Sequence, residues 1–318
     1  MFISSCPLRV SLFGGSTDSP AFIDTYGVGM VINLSINLNT YVTLTQDAHF
    51  GYNQHGKKYV INYSKREEVS TIPSIQNQLV REVLDYFKAP PICVSLTSDV
   101  YAQGSGLASS SSYLISLIKA VTMFMEIRMT DIEICALAFK LEQRVNPYCG
   151  YQDPYGCGVA GFKRITFKKD SISYEFLPTG IFNELDAHLI FTGITRNSLP
   201  ILESVSNNLT KSFLLTEYVN WAYDALIEGN VSEFLNLLGE SWRIKKDTSP
   251  MILGDSKLKT MDAALYENDS VLAHKLCGAG NGGFFLTFSK PNTLDIPYES
   301  VKVNLSQRGI SGEKYGLL

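Results

Sequence analysis

The chain has 318 residues, of which 45% are hydrophobic and 18% charged, and its formal net charge is −4. A hydrophobic fraction of this size can bury a core, which excludes a disordered chain. The acidic balance excludes the basic excess that binding to long polyanions needs, so no nucleic-acid partner is expected. The length favours about two domains of ~100–200 residues each.

Cysteine spacing and apolar runs indicate the cellular setting. Six cysteines are scattered without a CxxC pair, which favours reduced thiols and a cytoplasmic protein. The first residues lack the cationic and apolar segments of a signal peptide, and Lys119 interrupts the longest apolar run, so no membrane partner is expected. The four histidines lack metal-ligand spacing, which argues against a zinc site.

The first part of the chain is predicted to mix strands and helices. Short alternating runs bounded by glycines predict antiparallel strands over residues 8–13, 31–44 and 51–65. Helical spacing predicts a helix over 71–87, and renewed alternation predicts a strand over 92–97. This strand leads into a glycine-serine segment, residues 104–112, and the apolar spacing that follows predicts a helix that starts within it.

A candidate domain boundary follows in the middle of the chain. Residues 170–178 have the pattern of a hairpin edge and a linker, so we expect domains at 1–175 and 176–318. The second domain is predicted to contain a strand over 188–192, three or four helices between 199 and 268, and strands over 284–288 and 301–305.

The glycine-serine segment is the strongest local signal of a binding site. A glycine-rich turn that runs into a helix directs unpaired backbone N–H groups and the positive end of the helix dipole to one point, which suits a phosphate. The alternative is an ordinary loop with serine helix caps. The segment lacks the lysine of the Walker motif and the last glycine of the dinucleotide motif, so neither of those phosphate sites fits.

Glu142 lies on the apolar face of a predicted helix. A capping box, Thr130-x-x-Glu133, starts this helix, and Asn146-Pro147 should end it. At ~100° per residue, Glu142 points the same way as Ala138. A buried carboxylate needs a partner, because burying an unpaired charge costs roughly several kcal/mol. The partner could be an arginine, or Glu142 could bind magnesium through its oxygens.

Three further segments are ambiguous when each is considered alone. Asp153 precedes a proline, which is typical of a turn. Residues 14–18, Gly-Gly-Ser-Thr-Asp, follow a predicted strand and have the pattern of a turn with a helix cap. Residues 277–283 are rich in glycine, which lets the backbone approach another backbone or a ligand closely.

Taken together, the segments resemble the three ordered motifs of the GHMP kinases, which include galactokinase, homoserine kinase and mevalonate kinase. The motifs correspond to residues 7–18, 104–112 and 278–283 and span nearly the whole chain. Glu142 and Asp153 also have the family's spacing of eleven residues. The resemblance implies an α+β fold of two domains, the first like ribosomal protein S5 domain 2 and the second ferredoxin-like, with the active site between them.

The resemblance also implies an ATP-dependent kinase and a role for each motif. Asp153 corresponds to the catalytic aspartate, and Arg9 to the basic residue of the first motif. Glu142 and Ser110 would hold Mg²⁺. The ATP phosphates would bind at Gly104, Ser105, Gly106, Leu107, Ala108, Ser109, Ser110 and Ser111. The sugar would bind at Gly14, Gly15, Ser16, Thr17, Asp18 and Gly280.

Within the family, the chain is most similar to the kinases of D-glycero-D-manno-heptose 7-phosphate. Stretches outside the shared motifs carry part of this similarity, at residues 35–37, 41–42, 152–155, 192–196 and 242–246. It implies phosphorylation of the anomeric hydroxyl of the sugar phosphate, on the route to a nucleotide-activated heptose. The cations suited to the 7-phosphate are Arg196, Lys245 and Lys246, which could instead form a solvated surface.

The chain departs from the family pattern at three positions without losing a candidate catalytic side chain. Tyr101 stands in place of a proline before the loop, Ala108 in place of a loop glycine, and Asn281 in place of a glycine of the third motif. Two other functions remain open. One is a galactokinase-like or fucokinase-like enzyme acting on an unphosphorylated sugar, and the other is a non-catalytic sugar-binding regulator on the same fold.

Overall fold

The computed structural model of the chain describes residues 1–46, 58–101, 104–195, 199–206 and 209–316. The strands in these ranges are β1 (Phe2–Phe13), β2 (Val28–Thr45), β3 (Tyr59–Asn62), β4 (Arg66–Val69), β5 (Cys93–Ser98), β6 (Phe162–Lys168), β7 (Ser171–Phe176), β8 (Asp186–Phe191), β9 (Ala273–Leu276), β10 (Phe284–Ser289), β11 (Ser300–Val303) and β12 (Ser311–Lys314). The helices are α1 (Pro20–Tyr26), α2 (Gln78–Phe87), α3 (Ser109–Phe124), α4 (Asp131–Val145), α5 (Gln152–Gly158), α6 (Leu199–Ser206), α7 (Leu209–Ile227), α8 (Val231–Asp247) and α9 (Ser256–Glu267). None of the helices in these ranges is long and apolar enough to cross a lipid bilayer.

The N-terminal part of the chain forms a mainly antiparallel sheet around the long strand β2. The strand order is β12-β1-β2-β5-β3-β4, and the pairing of β3 with β5 is parallel. The C-terminal half of β2 pairs with β5, whereas its N-terminal half pairs with β6, which carries β7 at its other edge. One strand therefore supports two separate extensions of the sheet.

Strand β1 presents different chemistry on its two faces. Leu8, Val10 and Leu12 are fully buried in a hydrophobic core, whereas the alternating residues Arg9 and Ser11 point to the opposite face. On that face the guanidinium of Arg9 reaches α5. The alternation of the sequence thus places two polar side chains where the sheet meets the helices.

Helices α2, α3 and α4 cover the N-terminal sheet. Their buried residues, such as Leu84, Ile118 and Leu141, pack with Val42 and Val94 of the sheet in one hydrophobic core. Burial of this apolar area fixes the position of α3 and α4 relative to the strands. These two helices carry the candidate phosphate and metal residues.

The C-terminal part forms a second antiparallel sheet with the strand order β11-β8-β10-β9, and α6 to α9 are inserted between β8 and β9. A second hydrophobic core joins this part to β1. It contains Leu8 and Val10 of β1, Val219 of α7, Leu238 of α8 and Phe288 of β10. The two sheets are therefore packed against each other through shared helices.

Most predicted elements occur where the sequence indicates them. The helix predicted within the serine run begins at Ser109, and the predicted capping box forms at the start of α4. The helix predicted over 71–87 begins only at Gln78, because the side chain of Asn77 caps its N-terminus after a short 3-10 turn. Much of the strand predicted over 51–65 lies outside the described residues.

The last strand joins the N-terminal sheet, although it follows the domain boundary predicted after residue 175. β12 pairs with β1, with Phe2 opposite Lys314 and Ser5 opposite Ser311. Residues 311–314 consequently complete the N-terminal sheet, although the division into 1–175 and 176–318 assigns them to the other domain. That division stays a prediction.

Candidate active site

A cavity of about 1110 Å³ brings the sequence motifs together. Its walls include Arg9 of β1, the loop from Gly104 to Ala108, and Glu142 at the end of α4. The other side is formed by residues of α8 and β9 and by Gly278 and Ala279 of the third motif. All three motifs thus line one space between the two parts of the chain.

The glycine-serine loop ends where α3 begins, and its backbone is held from below. Arg9 donates from its backbone N to the carbonyl of Leu107 at 3.2 Å and from Nη1 to the carbonyl of Gly106 at 2.9 Å. Ser105 Oγ accepts from the backbone N–H of Leu107 and pairs with Ser109 Oγ. The carbonyls of Gly106 and Leu107 are thereby paired with Arg9. The N-terminus of α3 is directed to the cavity, and the unpaired N–H groups there favour the binding of an anion.

The two residues that replace family glycines take up glycine-like backbone conformations. Ala108 has φ +61° and Asn281 has φ +58°, both in the left-handed region. Asparagine tolerates this region, whereas for alanine it costs about 1–2 kcal/mol. The loop therefore keeps a glycine-type path despite the substitutions.

The third motif supports the glycine-serine loop from the C-terminal part of the chain. Gly283 has φ +90°, and a Cβ on it would overlap the carbonyl oxygen of Ser105. Phe284 donates its backbone N–H to the same carbonyl at 3.1 Å. Only a glycine allows the two backbones to approach this closely. The motif's glycines thus act on the loop by contact with its backbone.

Glu142 lies under the first turn of α3, and its partners are two serines. Ser110 Oγ donates to one carboxylate oxygen at 2.7 Å and Ser111 Oγ to the other at 2.5 Å. Burial, together with the negative charge of Asp153, raises the pKa of Glu142 to about 7. No salt bridge to Glu142 occurs among the described residues, so the arginine pairing considered from the sequence is absent there.

The oxygens of Glu142 and Ser110 fit a magnesium ion. Both residues line the cavity, and hard oxygen donors are the ligands that Mg²⁺ prefers. A divalent cation would supply the positive charge that this buried carboxylate lacks. Within the described ranges no group of three or more His, Cys, Asp or Glu could hold a metal, so Mg²⁺ here would also depend on phosphate and water ligands.

Arg9 and Asp153 form a pair at the floor of the cavity. Nη2 of Arg9 lies 2.5 Å and Nε 3.1 Å from Oδ1 of Asp153. The Arg9 side chain is 2% exposed, whereas that of Asp153 is 32% exposed and lies in the first turn of α5. Burial alone would lower the pKa of Arg9, but the charge of Asp153 raises it overall. The arginine is thus fixed and charged, while the aspartate remains open to the cavity.

Asp18 lines the cavity but is engaged by neighbouring protein groups. Its Oδ2 accepts the backbone N–H of Gln152 at 3.0 Å, and its Oδ1 accepts Nε2 of the same residue at 3.0 Å. Burial raises the pKa of Asp18 to about 6. Both carboxylate oxygens therefore hold the start of α5, and the direct sugar contact expected from the sequence stays a prediction.

The adjacent lysines of α8 have different surroundings. Lys245 lines the cavity and donates to Ser16 Oγ, next to Gly15. Lys246 is not among the residues that line the cavity, and its ammonium lies 2.7 Å from Asp262 Oδ2. Of the two, Lys245 has the position that a substrate phosphate would require.

The remaining predicted site residues are distributed as follows. Gly14, Gly15 and Ser16 line the cavity, whereas Thr17 is fully buried beneath and donates to the carbonyls of Gly14 and Met30. Leu107 and Ser111 are also buried behind the loop. Gly280 packs against Ile252 instead of the cavity, and Arg196 lies outside the described residues.

Two cavity residues were not singled out as site residues from the sequence. Lys275 is 8% exposed, donates to the carbonyl of Leu12 at 2.6 Å, and has its pKa lowered to about 7 by burial. Gln152 lies between Asp18 and Asp153. The available signal for Lys275 was a lysine within the strand directly before the third motif, and for Gln152 its place beside Asp153.

The geometry defines a class of protein. Phosphoryl transfer needs a cradle for phosphate oxygens, a metal ligand and a group that orients the attacking hydroxyl, and the loop, Glu142 and Asp153 have the chemistry for these three roles. Comparison with known families agrees, because residues 76–161 match the GHMP kinases N-terminal domain.

Similar proteins extend the agreement over the whole chain. D-glycero-alpha-D-manno-heptose 7-phosphate kinase of Campylobacter jejuni is 28% identical over 95% of this chain and 93% of its own. L-fucokinase/L-fucose-1-P guanylyltransferase of Bacteroides fragilis is 28% identical over 89% of this chain and 34% of its own. The crystal structure of a D-glycero-D-manno-heptose 1-phosphate kinase from Bacteroides thetaiotaomicron superposes with a TM-score of 0.73 at 22% identity and covers 100% of both chains.

The chain is therefore a kinase that carries a GHMP-type N-terminal domain. Its N-terminal domain is of the GHMP type, and the fold of the whole chain is that of the solved family members. The α+β fold implied by the three sequence motifs is thus confirmed.

Proposed function

We propose that the chain transfers the γ-phosphoryl group of ATP to the anomeric hydroxyl of D-glycero-D-manno-heptose 7-phosphate, giving the 1,7-bisphosphate and ADP. The observation that carries this proposal is the convergence of the loop, Glu142 and the Arg9–Asp153 pair on one cavity. The similarity to the Campylobacter heptose 7-phosphate kinase, over nearly the full length of both chains, supports this acceptor.

In the proposed reaction, the residues act mainly by position and charge. The loop from Gly104 to Ser111 binds the ATP phosphates through its backbone N–H groups. Asp153 accepts the proton of the attacking hydroxyl, a contribution of about 10²–10⁴-fold in rate. Arg9 holds Asp153 and faces the phosphoryl group in transfer. Magnesium, when bound at Glu142 and Ser110, neutralises charge on the phosphates.

A phosphorylated acceptor fits the cations on the other side of the cavity. Lys245 and Lys275 both line the cavity. The buried ammonium of Lys275 has a pKa lowered to about 7 by desolvation, with Lys245 and Arg9 adding to the effect. A substrate phosphate nearby would favour the charged form of Lys275.

The substrate is tested with a coupled assay of ADP release across heptose 7-phosphate, heptose 1-phosphate, mannose, galactose, fucose and mevalonate. We expect the highest kcat/KM with heptose 7-phosphate, and phosphorus NMR of the product should show a new anomeric phosphate. Preference for an unphosphorylated sugar, or for the 1-phosphate, would contradict the proposed acceptor.

A fucokinase-like activity is the second candidate. The similarity to the Bacteroides fragilis fucokinase, also 28% identical over 89% of this chain, favours it. The same assay distinguishes the two, because a free sugar would then be turned over faster than any sugar phosphate. A non-catalytic regulator is disfavoured, since Arg9, Glu142 and Asp153 are all present and face one cavity.

The proposed setting is the cytoplasm, where ATP and sugar phosphates are available. All six cysteines have free thiols, which is typical of a reducing compartment. Cell fractionation of the tagged protein, with a cytoplasmic enzyme as marker, tests this.

A further inference from the structure

Asp18 and residues 150–152 form a clamp in which the geometry of each member depends on the others. Besides the two carboxylate bonds to Gln152, the main-chain carbonyl of Asp18 accepts the backbone N–H of Tyr151 at 3.1 Å. A Cβ on Gly150 would overlap Asp18 Oδ2, so the carboxylate approaches this closely only because residue 150 is glycine. The clamp joins the first motif to the turn that precedes Asp153.

The clamp determines which way the side-chain amide of Gln152 faces. A carboxylate accepts hydrogen bonds but donates none when it is ionised, so Nε2 of Gln152 must point to Asp18. The carbonyl oxygen Oε1 is consequently turned away from Asp18. It is buried, and no hydrogen-bond partner for it exists among the described residues.

A second buried oxygen without a partner lies on the same wall of the cavity. Ser11 Oγ also lacks a hydrogen-bond partner in the described part of the chain. Ser11 Oγ, Gln152 Nε2 and Lys245 Nζ each lie 3.9 Å from the position that a Cβ on Gly15 would occupy. All four residues line the cavity, which Asp153 lines too. Three polar side chains therefore surround Gly15 on the wall that also carries Asp153.

Unpaired buried oxygens are rare in folded proteins, because the lost hydrogen bond to water is not replaced. A ligand hydroxyl would repair this deficit, since it can donate to Gln152 Oε1 and pair with Ser11 Oγ at the same time. Lys245, on the same wall, fits an anionic group. The chemistry of the wall thus favours an acceptor that carries a hydroxyl and a negative charge.

We propose that Gln152 determines acceptor specificity by accepting a hydrogen bond from a non-reacting hydroxyl of the sugar, and that Asp18 is a positioning residue that orients its amide. Ser11 contributes the second oxygen to the same hydroxyl. This inference rests on the proposed sugar-phosphate kinase activity. It assigns to Asp18 a role through Gln152 in place of direct contact with the sugar.

The test combines a variant with deoxy analogues of the acceptor. Gln152→Met keeps the length of the side chain and the backbone bond to Asp18 but removes the amide. For one monodeoxy heptose phosphate, the wild-type enzyme should lose about 10- to 100-fold in kcat/KM relative to the full substrate. The Q152M enzyme should show about the same kcat/KM for both substrates, with KM for ATP unchanged.

Gln143→Met is the matched control, because Gln143 also lines the cavity and is not part of the clamp. This variant should discriminate against the deoxy analogue as the wild type does. Asp18→Asn can accept only one of the two donors of Gln152, so it should reduce the discrimination against the same analogue. A purely structural role of Asp18 would lower thermal stability without changing the discrimination.

The outcomes separate this inference from the proposed function. If the wild type turns over no sugar phosphate, the proposed function fails and the inference fails with it. If the wild type is active but Q152M retains the full discrimination at every deoxy position, the inference alone is overturned. Should Q152M not fold, Ser11→Ala is measured in its place, and unchanged discrimination in S11A would overturn the shared site.

Discussion

Two clusters of charged and polar groups, one around Asp262 and one around Asp153, differ in how completely their hydrogen bonds are satisfied. In the buried cluster, Asp262 of α9 accepts from Trp242 Nε1 at 2.7 Å, His274 Nε2 at 2.9 Å and Lys246 Nζ at 2.7 Å. Burial opposes its ionisation, yet the hydrogen bonds from these three side chains lower the pKa of Asp262 to about 2. Every group of this cluster has a partner within it.

On the cavity side, the charged groups are only partly satisfied. Asp153 is bonded to Arg9 alone among the described residues and is 32% exposed, and buried oxygens of Ser11 and Gln152 lack partners. A cluster that only stabilises the fold can have all of its hydrogen-bonding groups paired within the protein, which we call a closed cluster. A site that binds and releases a substrate must leave hydrogen-bonding groups unpaired for it. The degree of satisfaction thus separates the two clusters better than residue type or burial does.

The largest effect is expected from replacing Asp153, the proposed base on the cavity side. Asp153→Asn keeps the size of the side chain but cannot take up the hydroxyl proton, so kcat should fall by about 10²–10⁴-fold. Asp262→Asn is the matched variant in the closed cluster. It should turn over substrate at nearly the normal rate while losing about 1–3 kcal/mol of unfolding free energy. Equal losses of activity in the two variants would contradict the distinction between a cluster that acts in the reaction and one that stabilises the fold.

The proposed role of Glu142 in the cavity-side cluster is tested through the magnesium requirement of the enzyme. Glu142→Gln removes the carboxylate charge but can still hydrogen-bond both serines of α3, by accepting at its oxygen and donating from its NH₂ group to the other hydroxyl, so the fold should persist. We expect the magnesium concentration for half-maximal activity to rise by about tenfold or more, because one charged ligand is lost. Titration with MgCl₂ at fixed ATP measures this. An unchanged midpoint would show that Glu142 is a structural partner of the serines.

The neighbouring lysines of α8 test the same contrast within one turn of helix. Lys245→Met should raise KM for the phosphorylated acceptor by about tenfold or more, through loss of a charged contact, with a smaller change for the free sugar. Lys246→Met should leave both KM values near normal and lower the melting temperature, since it removes a partner of Asp262. If K246M raised KM for the phosphorylated acceptor and K245M only lowered the melting temperature, the roles of the two lysines would be exchanged.

Proton uptake by Asp18 provides a test without mutation of the site. Burial and the negative charge of Asp153 raise the pKa of Asp18, whereas Lys245 lowers it, and the resulting pKa is about 6. Asp18 is ionised above this pH. As pH falls through this value, the carboxyl gains a proton and the amide of Gln152 is no longer held in one orientation. KM for the acceptor, at saturating ATP and magnesium, should therefore rise up to about tenfold at one pH unit below the pKa. A flat profile in this range would contradict the clamp.

The smallest effect concerns the backbone of the loop. Ala108→Gly removes the left-handed strain and should raise the unfolding free energy by about 0.5–1 kcal/mol, as measured by thermal or urea unfolding. Ala120→Gly in the middle of α3 is the control, and there the same substitution should lower stability by about 1 kcal/mol. A loss of stability in A108G would mean that the loop relaxes when the side chain is absent.

The sequence predicts the parts of the fold and site that depend on local pattern. Helical periodicity places Glu142 on the buried face of α4, and the serine run correctly marks the start of α3 at Ser109. The pairing of Arg9 with Asp153 also agrees with the role that the family resemblance gave to Arg9. Each of these inferences required only neighbouring residues or an ordered motif.

What the sequence did not predict depends on contacts between distant segments. Lys245 and Lys246 are equivalent in the sequence, and only the position of α8 between the first motif and α9 gives them different partners. The sequence likewise does not indicate that the carboxylate of Asp18 packs against Gly150 and accepts from Gln152. Such distinctions require the three-dimensional arrangement of at least two elements.

The contact of Gly283 with Ser105 has a consequence for the order in which the enzyme is assembled during synthesis. The ribosome makes the glycine-serine loop long before it makes the strand that supports it, and a contact so distant in sequence forms late because of the loop entropy it must overcome. The N-terminal part, folded alone, would hold its loop without that support. Nucleotide affinity should therefore appear only when the C-terminal sheet has docked, which makes ATP binding a reporter of complete folding.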